Sequence, residues 1–308
     1  MQTRGQILVI LKDRSEWRTL GLLTICYAAW LFLLINPFGL PWIVAALLLC
    51  PVITLHSSLQ HECIHGHPFR DSAANDAVVV LPIGLYVPYF RFKDSHLDHH
   101  QNANICDPYD DPESWYLAQD FWSKLPRVVK TFFEFNNTLA GRMLIGPMIS
   151  LIRLAISDGR AIFQNDRDVI FAWVLHLPLV ALLLAAVNVI SGMPLWLYFV
   201  SAYFGMSILM IRTYLEHQAE ESHLGRSVII EDRGPLSLLF LNNNLHAVHH
   251  AYPSVAWHQL PSLYARHRDR FLKLNRGYSY SNYMEIIRTF AFRRKEPVPY
   301  PLADGSDQ

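Results

Sequence analysis

Three short stretches set histidines at helical spacing: His61-Glu-Cys-Ile-His65, His96-Leu-Asp-His99-His100 and His246-Ala-Val-His249-His250. They hold eight of the fifteen histidines. On an α-helix, positions i, i+3 and i+4 share a face one turn apart, so each stretch aims two or three imidazoles the same way. Neutral imidazole is a good ligand for iron, zinc, copper and nickel. Eight aimed imidazoles exceed the roughly four to six positions around one ion, so the arithmetic points to two metals.

The rest of the composition narrows the setting. With 26 basic and 26 acidic residues, the balanced charge argues against a nucleic-acid binder working through a basic face. The hydrophobic fraction is 52%, which indicates a membrane. The four cysteines, Cys26, Cys50, Cys63 and Cys106, form no C-x-x-C pair and no disulfide framework, so metal chemistry must rest on histidine.

The elements that would position these histidines are visible as charge-free runs. From Thr19 to Gln60 there is no Asp, Glu, Lys or Arg, and the run is broken once, at Asn36-Pro-Phe-Gly-Leu-Pro41. Each arm is long enough to cross a hydrocarbon core of roughly 30 Å at about 1.5 Å per residue. The pattern recurs from Val169 to Ile211, with its turn at Ser191-Gly-Met-Pro194. Four transmembrane helices in two hairpins are expected, over about 19–36, 41–60, 169–190 and 194–212. Both turns lack Lys and Arg while the flanking segments are rich in them, so the positive-inside rule turns the hairpin tips outward. Both termini and all three histidine stretches then fall on the cytoplasmic side of an integral, multi-pass membrane protein. The expectation is one all-α domain over 1–308, with a cytoplasmic helical cap formed by 61–168 and 213–295.

Other segments are read more briefly. Met1 to Arg18 lacks the features of a cleaved signal and reads as retained, partly a surface helix. Ala77 to Phe90 is too short to span and contains Pro82 and Pro88, which fits a re-entrant or interfacial piece. Met143 to Ile156, with Arg142 just before it and Arg153 within it among apolar residues, reads as an amphipathic helix in the interface. The tail 296–308 is expected to be disordered.

His217 lies about one turn beyond the fourth span. A helix continuing out of the membrane would bring it level with His61, which makes it the ninth candidate ligand. His56, His67, His176, His223, His258 and His267 are off-face, mid-span or surface residues. Glu62, Asp98, Asp107, Glu216 and Asn242 to Asn244 are candidates to fix imidazole tautomers.

Two chemistries compete for these residues. His61-Glu62-x-x-His65 is the zinc protease signature, with glutamate as general base. That reading leaves the two H-x-x-H-H stretches unexplained. Oxidation of an unactivated C–H bond in a lipid, by O2 at two non-haem irons, uses all three stretches and the spans. The catalytic power would then lie with the metal centre rather than with a side-chain acid or base.

The chain resembles the integral-membrane fatty acid desaturase and hydroxylase superfamily, whose three histidine boxes read here as HECIH, HLDHH and HAVHH. The run His249-His250-Ala-Tyr-Pro-Ser-Val-Ala-Trp-His-Gln-Leu-Pro261 is similar to that of acyl desaturases. The resemblance implies a four-span stem under a cytoplasmic cap with a di-iron site, whose ligands are His61, His65, His96, His99, His100, His217, His246, His249 and His250. It implies desaturation of a fatty acyl chain taken from the membrane, the alternative being hydroxylation or ketolation of a lipid, alkane or carotenoid. With no fused electron-transfer domain in the sequence, a separate donor is expected, of ferredoxin or cytochrome b5 type with its reductase, docking on the basic surface near Arg266 to Arg294.

Overall fold

The computed structural model describes residues 16–102 and 104–302. Most of the N-terminal segment read as a surface helix, and the last six residues of the tail, lie outside the described residues. Apart from a two-residue parallel strand pair, Ile229–Ile230 with Ser279–Tyr280, and two isolated bridges, the regular structure among the described residues is helical.

The first hairpin is α1 (Trp17–Ile35) and α2 (Trp42–Ile64). Its turn is closed by Asn36 in the left-handed region, whose side chain brackets Leu40 by donating to its carbonyl and accepting from its amide, both at 2.8 Å. Then come α3 (Ser72–Val79), α4 (Tyr89–Gln101), α5 (Gln119–Lys124), α6 (Arg127–Asn136) and α7 (Leu139–Phe163). The second hairpin is α8 (Arg167–Ser191) and α9 (Leu195–Thr213), separated by Gly192 with φ +66°. After it lie α10 (Pro235–Leu239), α11 (His246–Ala251), α12 (Leu260–Leu274) and α13 (Tyr283–Phe290).

Helices α2 and α9 form the centre of the bundle and run parallel. Thr54 Oγ1 donates to the Gly205 carbonyl at 2.8 Å and Ser201 Oγ to that of Ala46 at 3.0 Å. The approach is close because residue 205 has no side chain: a Cβ there would sit 2.8 Å from Ile53 Cγ2. Leu33, Leu49, Ile53, Leu183, Val187 and Tyr198 form the apolar core at this level. The loop between α3 and α4 dips into the same core, with Ile83 and Leu85 buried and their carbonyls bonded to Tyr198 and His176. This satisfies its backbone inside protein, as non-helical backbone at that depth requires.

By length and composition five helices could cross a membrane: α1, α2, α7, α8 and α9. Four match the expected spans. The fifth contains the interfacial helix expected at Met143 to Ile156, but is longer. Both of its ends meet segments that also carry histidine boxes or their flanks. Arg142 lies against Trp115 and Tyr214, and Asp158 pairs with Arg91 of α4 at 3.0 Å.

One expectation is corrected. Residues 296–302 are not disordered: Leu117 donates to the Val298 carbonyl at 3.1 Å, the Tyr300 amide returns to Leu117, and Val298 and Tyr300 are buried. Two apolar residues and a strand-like bridge outweigh the prolines that made this stretch look unstructured.

Candidate metal centre

Helix α2 does not stop where the apolar run ends. It continues to Ile64, carrying His61 on its last turn, with His65 as its C-cap. Helix α4 presents His96, His99 and His100, and the six-residue α11 presents His246, His249 and His250. His217 is positioned differently from expectation. Helix α9 ends at Thr213, and His217 is held by an antiparallel bridge to Ser227, whose hydroxyl lies 3.2 Å from Nδ1.

The nine histidines converge in two groups. His61, His65, His96, His100 and His249 form one, and His99, His217, His246 and His250 the other; within each, the potential ligand nitrogens lie within 4.8 Å of one another. The division follows helical geometry. In each H-x-x-H-H stretch the i,i+4 pair enters one group and the intervening i+3 histidine crosses to the other. The His100 and His250 rings stack at 4.2 Å where the groups meet. The other six histidines fall outside both groups. His56 meets the Tyr27 hydroxyl, His67 meets Glu16 and His176 meets the Leu85 carbonyl.

The orientation of the rings is fixed from behind. His99 Nδ1 lies 2.8 Å from Asp111, and His96 Nδ1 lies 3.0 Å from Glu113. His246 Nδ1 lies 3.1 Å from Asn243 Oδ1, with Glu216 at 3.7 Å. An ionised carboxylate can only accept, so a neutral ring beside it carries its proton on Nδ1 and turns the Nε2 lone pair inward. Those Nε2 atoms face others at 3.0 Å: His65 with His96, His99 with His217, and His217 with His246. Among the described residues, His61 Nε2 is buried without a hydrogen-bond partner. Facing lone pairs repel unless a cation lies between them. Nitrogens each about 2.1 Å from one ion, at roughly right angles to it, would be about 3 Å apart. Donor set, spacing and the orphaned nitrogen therefore fit metal ions.

The electrostatics agree. Burial, with neighbouring imidazoles, holds His65, His217, His246, His249 and His250 well below the usual histidine range, and pushes His100 down to about 3. Burial would lower His99 as well, but Glu113 and the bond to Asp111 outweigh it and bring it up to about 9. Against the effect of burial, His99 and His96 hold Glu113 down to about 2. Most rings are thus kept neutral and ready to ligate, while the carboxylates draw positive charge toward them.

Of the polar neighbours expected from sequence, Glu216 and Asn243 stand beside the site. Asn242 and Asn244 bond instead to the carbonyls of Trp257 and Ile230, Asp107 caps a turn, and Asp98 is exposed. Asp111 and Glu113 went unrecognised. Their only trace is an Asp-x-Glu pair a dozen residues beyond the second box.

A model of the fatty acid desaturase family matches residues 37–282. The chain belongs to that family. Among curated proteins it is similar to the chloroplastic omega-3 fatty acid desaturase of Brassica napus, 25% identical over 226 residues covering 66% of this chain and 54% of the relative. It is also similar to the chloroplastic sn-2 acyl-lipid omega-3 desaturases (ferredoxin) of Helianthus annuus, 26% identical over 227 residues, and Arabidopsis thaliana, 25% over 226. These alignments cover 66% of this chain and 50% and 49% of the relatives. The chain spans about half the length of the curated relatives it matches. Membership removes the zinc protease alternative, and so does the geometry. Glu62 is buried and accepts the Trp257 amide at 2.8 Å, a fixed structural contact rather than a base facing a metal-bound water.

Proposed function

We propose that this desaturase-family chain removes two hydrogens from an acyl chain of a membrane lipid at a two-iron centre, with O2 as co-substrate. The observation that carries the reading is the set of inward Nε2 atoms in two adjacent groups, backed by carboxylates. The ligands are His61, His65, His96, His100 and His249 for one ion, and His99, His217, His246 and His250 for the other. Bound iron would supply activation of O2 and hydrogen abstraction from an unactivated C–H bond, which no side chain can perform. The chain's own residues hold and orient. Asp111, Glu113 and Asn243 keep protons on Nδ1, and burial keeps bulk water from the centre. Desaturation is preferred to hydroxylation or ketolation because each relative above is named a desaturase.

In this reading α1, α2, α8 and α9 are the four spans, and the centre and its cap lie on the cytoplasmic side. The charge-free turns support this sidedness, and the contacts of both α7 ends with cap segments, Arg142 with Trp115 and Asp158 with Arg91, support α7 lying beneath the cap rather than serving as a fifth span. Electrons come from a separate donor. The name of the Arabidopsis relative includes ferredoxin. Exposed Arg266, Arg268 and Arg270 lie on α12, whose Leu260 and Leu263 pack with Val248 of α11, so an acidic donor docked there would stand one helix from three of the histidines.

The test is lipid profiling of a host expressing the chain or its His217→Ala variant. A new double bond in acyl chains is expected with the natural sequence and not with the variant. A hydroxyl or ketone, or an unchanged profile, would overturn the reading.

A further inference from the structure

A cavity of about 460 Å³ opens beside the histidine groups, bounded by α6, α7, α9, the 106–116 loop and residues 295–298. His217 and Glu113 line one side, and Phe92, Leu154 and Leu209 give it an apolar wall. Its carboxylates are committed: Asp111 to His99, Glu113 to His96, Glu216 to Arg212 and Glu296 to Lys295. Arg91, another lining cation, is paired with Asp158.

Two lining cations are not committed. Arg142 is 3% exposed, yet it forms no ion pair among the described residues and its Nη1 is buried without a hydrogen-bond partner. It is held in place by other means. Its Nε donates to the Asn136 carbonyl at 3.2 Å, and the guanidinium lies 3.7 Å from the centre of the Trp115 ring. Gly146, one turn along α7, makes room for its stem, since a Cβ there would lie 2.9 Å from Arg142 Cδ. The more exposed Arg153 donates to the Ser114 carbonyl and is likewise not ion-paired among the described residues. A buried guanidinium with an idle donor is costly unless an anion joins it.

We propose that this cavity takes the oxyanion of the substrate, a carboxylate or a phosphate on an acyl lipid, with Arg142 as its anchor and Arg153 at the more open side. Recognition is by charge-assisted hydrogen bonding to the Arg142 guanidinium that lines the cavity, and the apolar wall accepts the first carbons of the chain. The substrate class is therefore an acyl lipid with an anionic head. The inference rests on the acyl-lipid reading of the neighbouring centre, and it names Arg142 as a specificity-determining residue.

The test is calorimetric titration of the full chain in neutral detergent without reductant, so that binding is read apart from turnover. The probes are decanoate against decanol, dihexanoyl phosphatidate against dihexanoylglycerol, and inorganic phosphate alone. Each anionic lipid should bind about tenfold more tightly than its neutral partner. Arg142→Gln should remove that preference and leave the neutral probes unchanged, Arg142→Lys should keep part of it, and Arg153→Gln, at an exposed position, should reduce it about threefold. Equal binding of charged and neutral probes would overturn the proposal, as would an undiminished preference in Arg142→Gln or in Arg153→Gln. Inorganic phosphate binding as tightly as phosphatidate would replace the lipid head with a free anion and overturn it too. If the preference holds while lipid profiling shows no oxidation, only the functional reading falls.

Discussion

At the scale of single residues, the centre depends on which nitrogen of each ring carries a proton. Asp111 and Glu113 decide this for His99 and His96 through contacts of 2.8 and 3.0 Å. Their loss would free the rings to rotate or change tautomer without removing a ligand. Asp111→Asn and Glu113→Gln are each expected to weaken iron binding about 10- to 100-fold, read as retention against a graded chelator, whereas exposed Asp98→Asn should change nothing. Equal retention in all three would remove the carboxylates from the account. The eight box histidines were legible in the sequence because their relation is local, three or four residues along one helix. The carboxylates were not, because they reach the rings from a loop whose path depends on packing. That loop is fixed by contacts such as Asp111 to the Cys106 amide and Ser114 to the Cys106 carbonyl.

At the scale of elements, the two hairpins were legible because about forty residues without charge, broken by a Pro- and Gly-containing turn, mark a pair of long apolar helices. The extra length of α7 was hidden by its arginines. They read as the polar side of a short interfacial helix, yet Arg142 folds inward onto Trp115. His217 was found for its position but not for its means of support, since a bridge to Ser227 leaves no periodicity to read. The parallel contact of α2 with α9 carries more functional weight than either hairpin. It sets α2, and with it His61 and His65, against the helix whose end leads to His217. Gly205→Val would push a side chain into Ile53, so about 1–3 kcal/mol of destabilisation is expected, seen as a lower thermal midpoint in detergent together with reduced iron content. An unchanged midpoint would show that this contact does not position the centre.

At the scale of the whole molecule, the proposed topology puts the hairpin tips and the histidine cap on opposite faces of the membrane. The four native cysteines are buried, so introduced ones should report with little background. Phe38→Cys and Trp196→Cys, at exposed positions by the two turns, should react with an impermeant thiol reagent from outside intact cells, and Arg266→Cys only after the membrane is opened. Labelling of residue 266 in intact cells would invert the topology. Whether nine histidines from distant parts of the chain hold two irons is decided by elemental analysis of detergent-purified protein. The expected result is close to two irons per chain in the natural sequence, falling in His249→Ala while the spans remain inserted. One zinc and no iron per chain would contradict it.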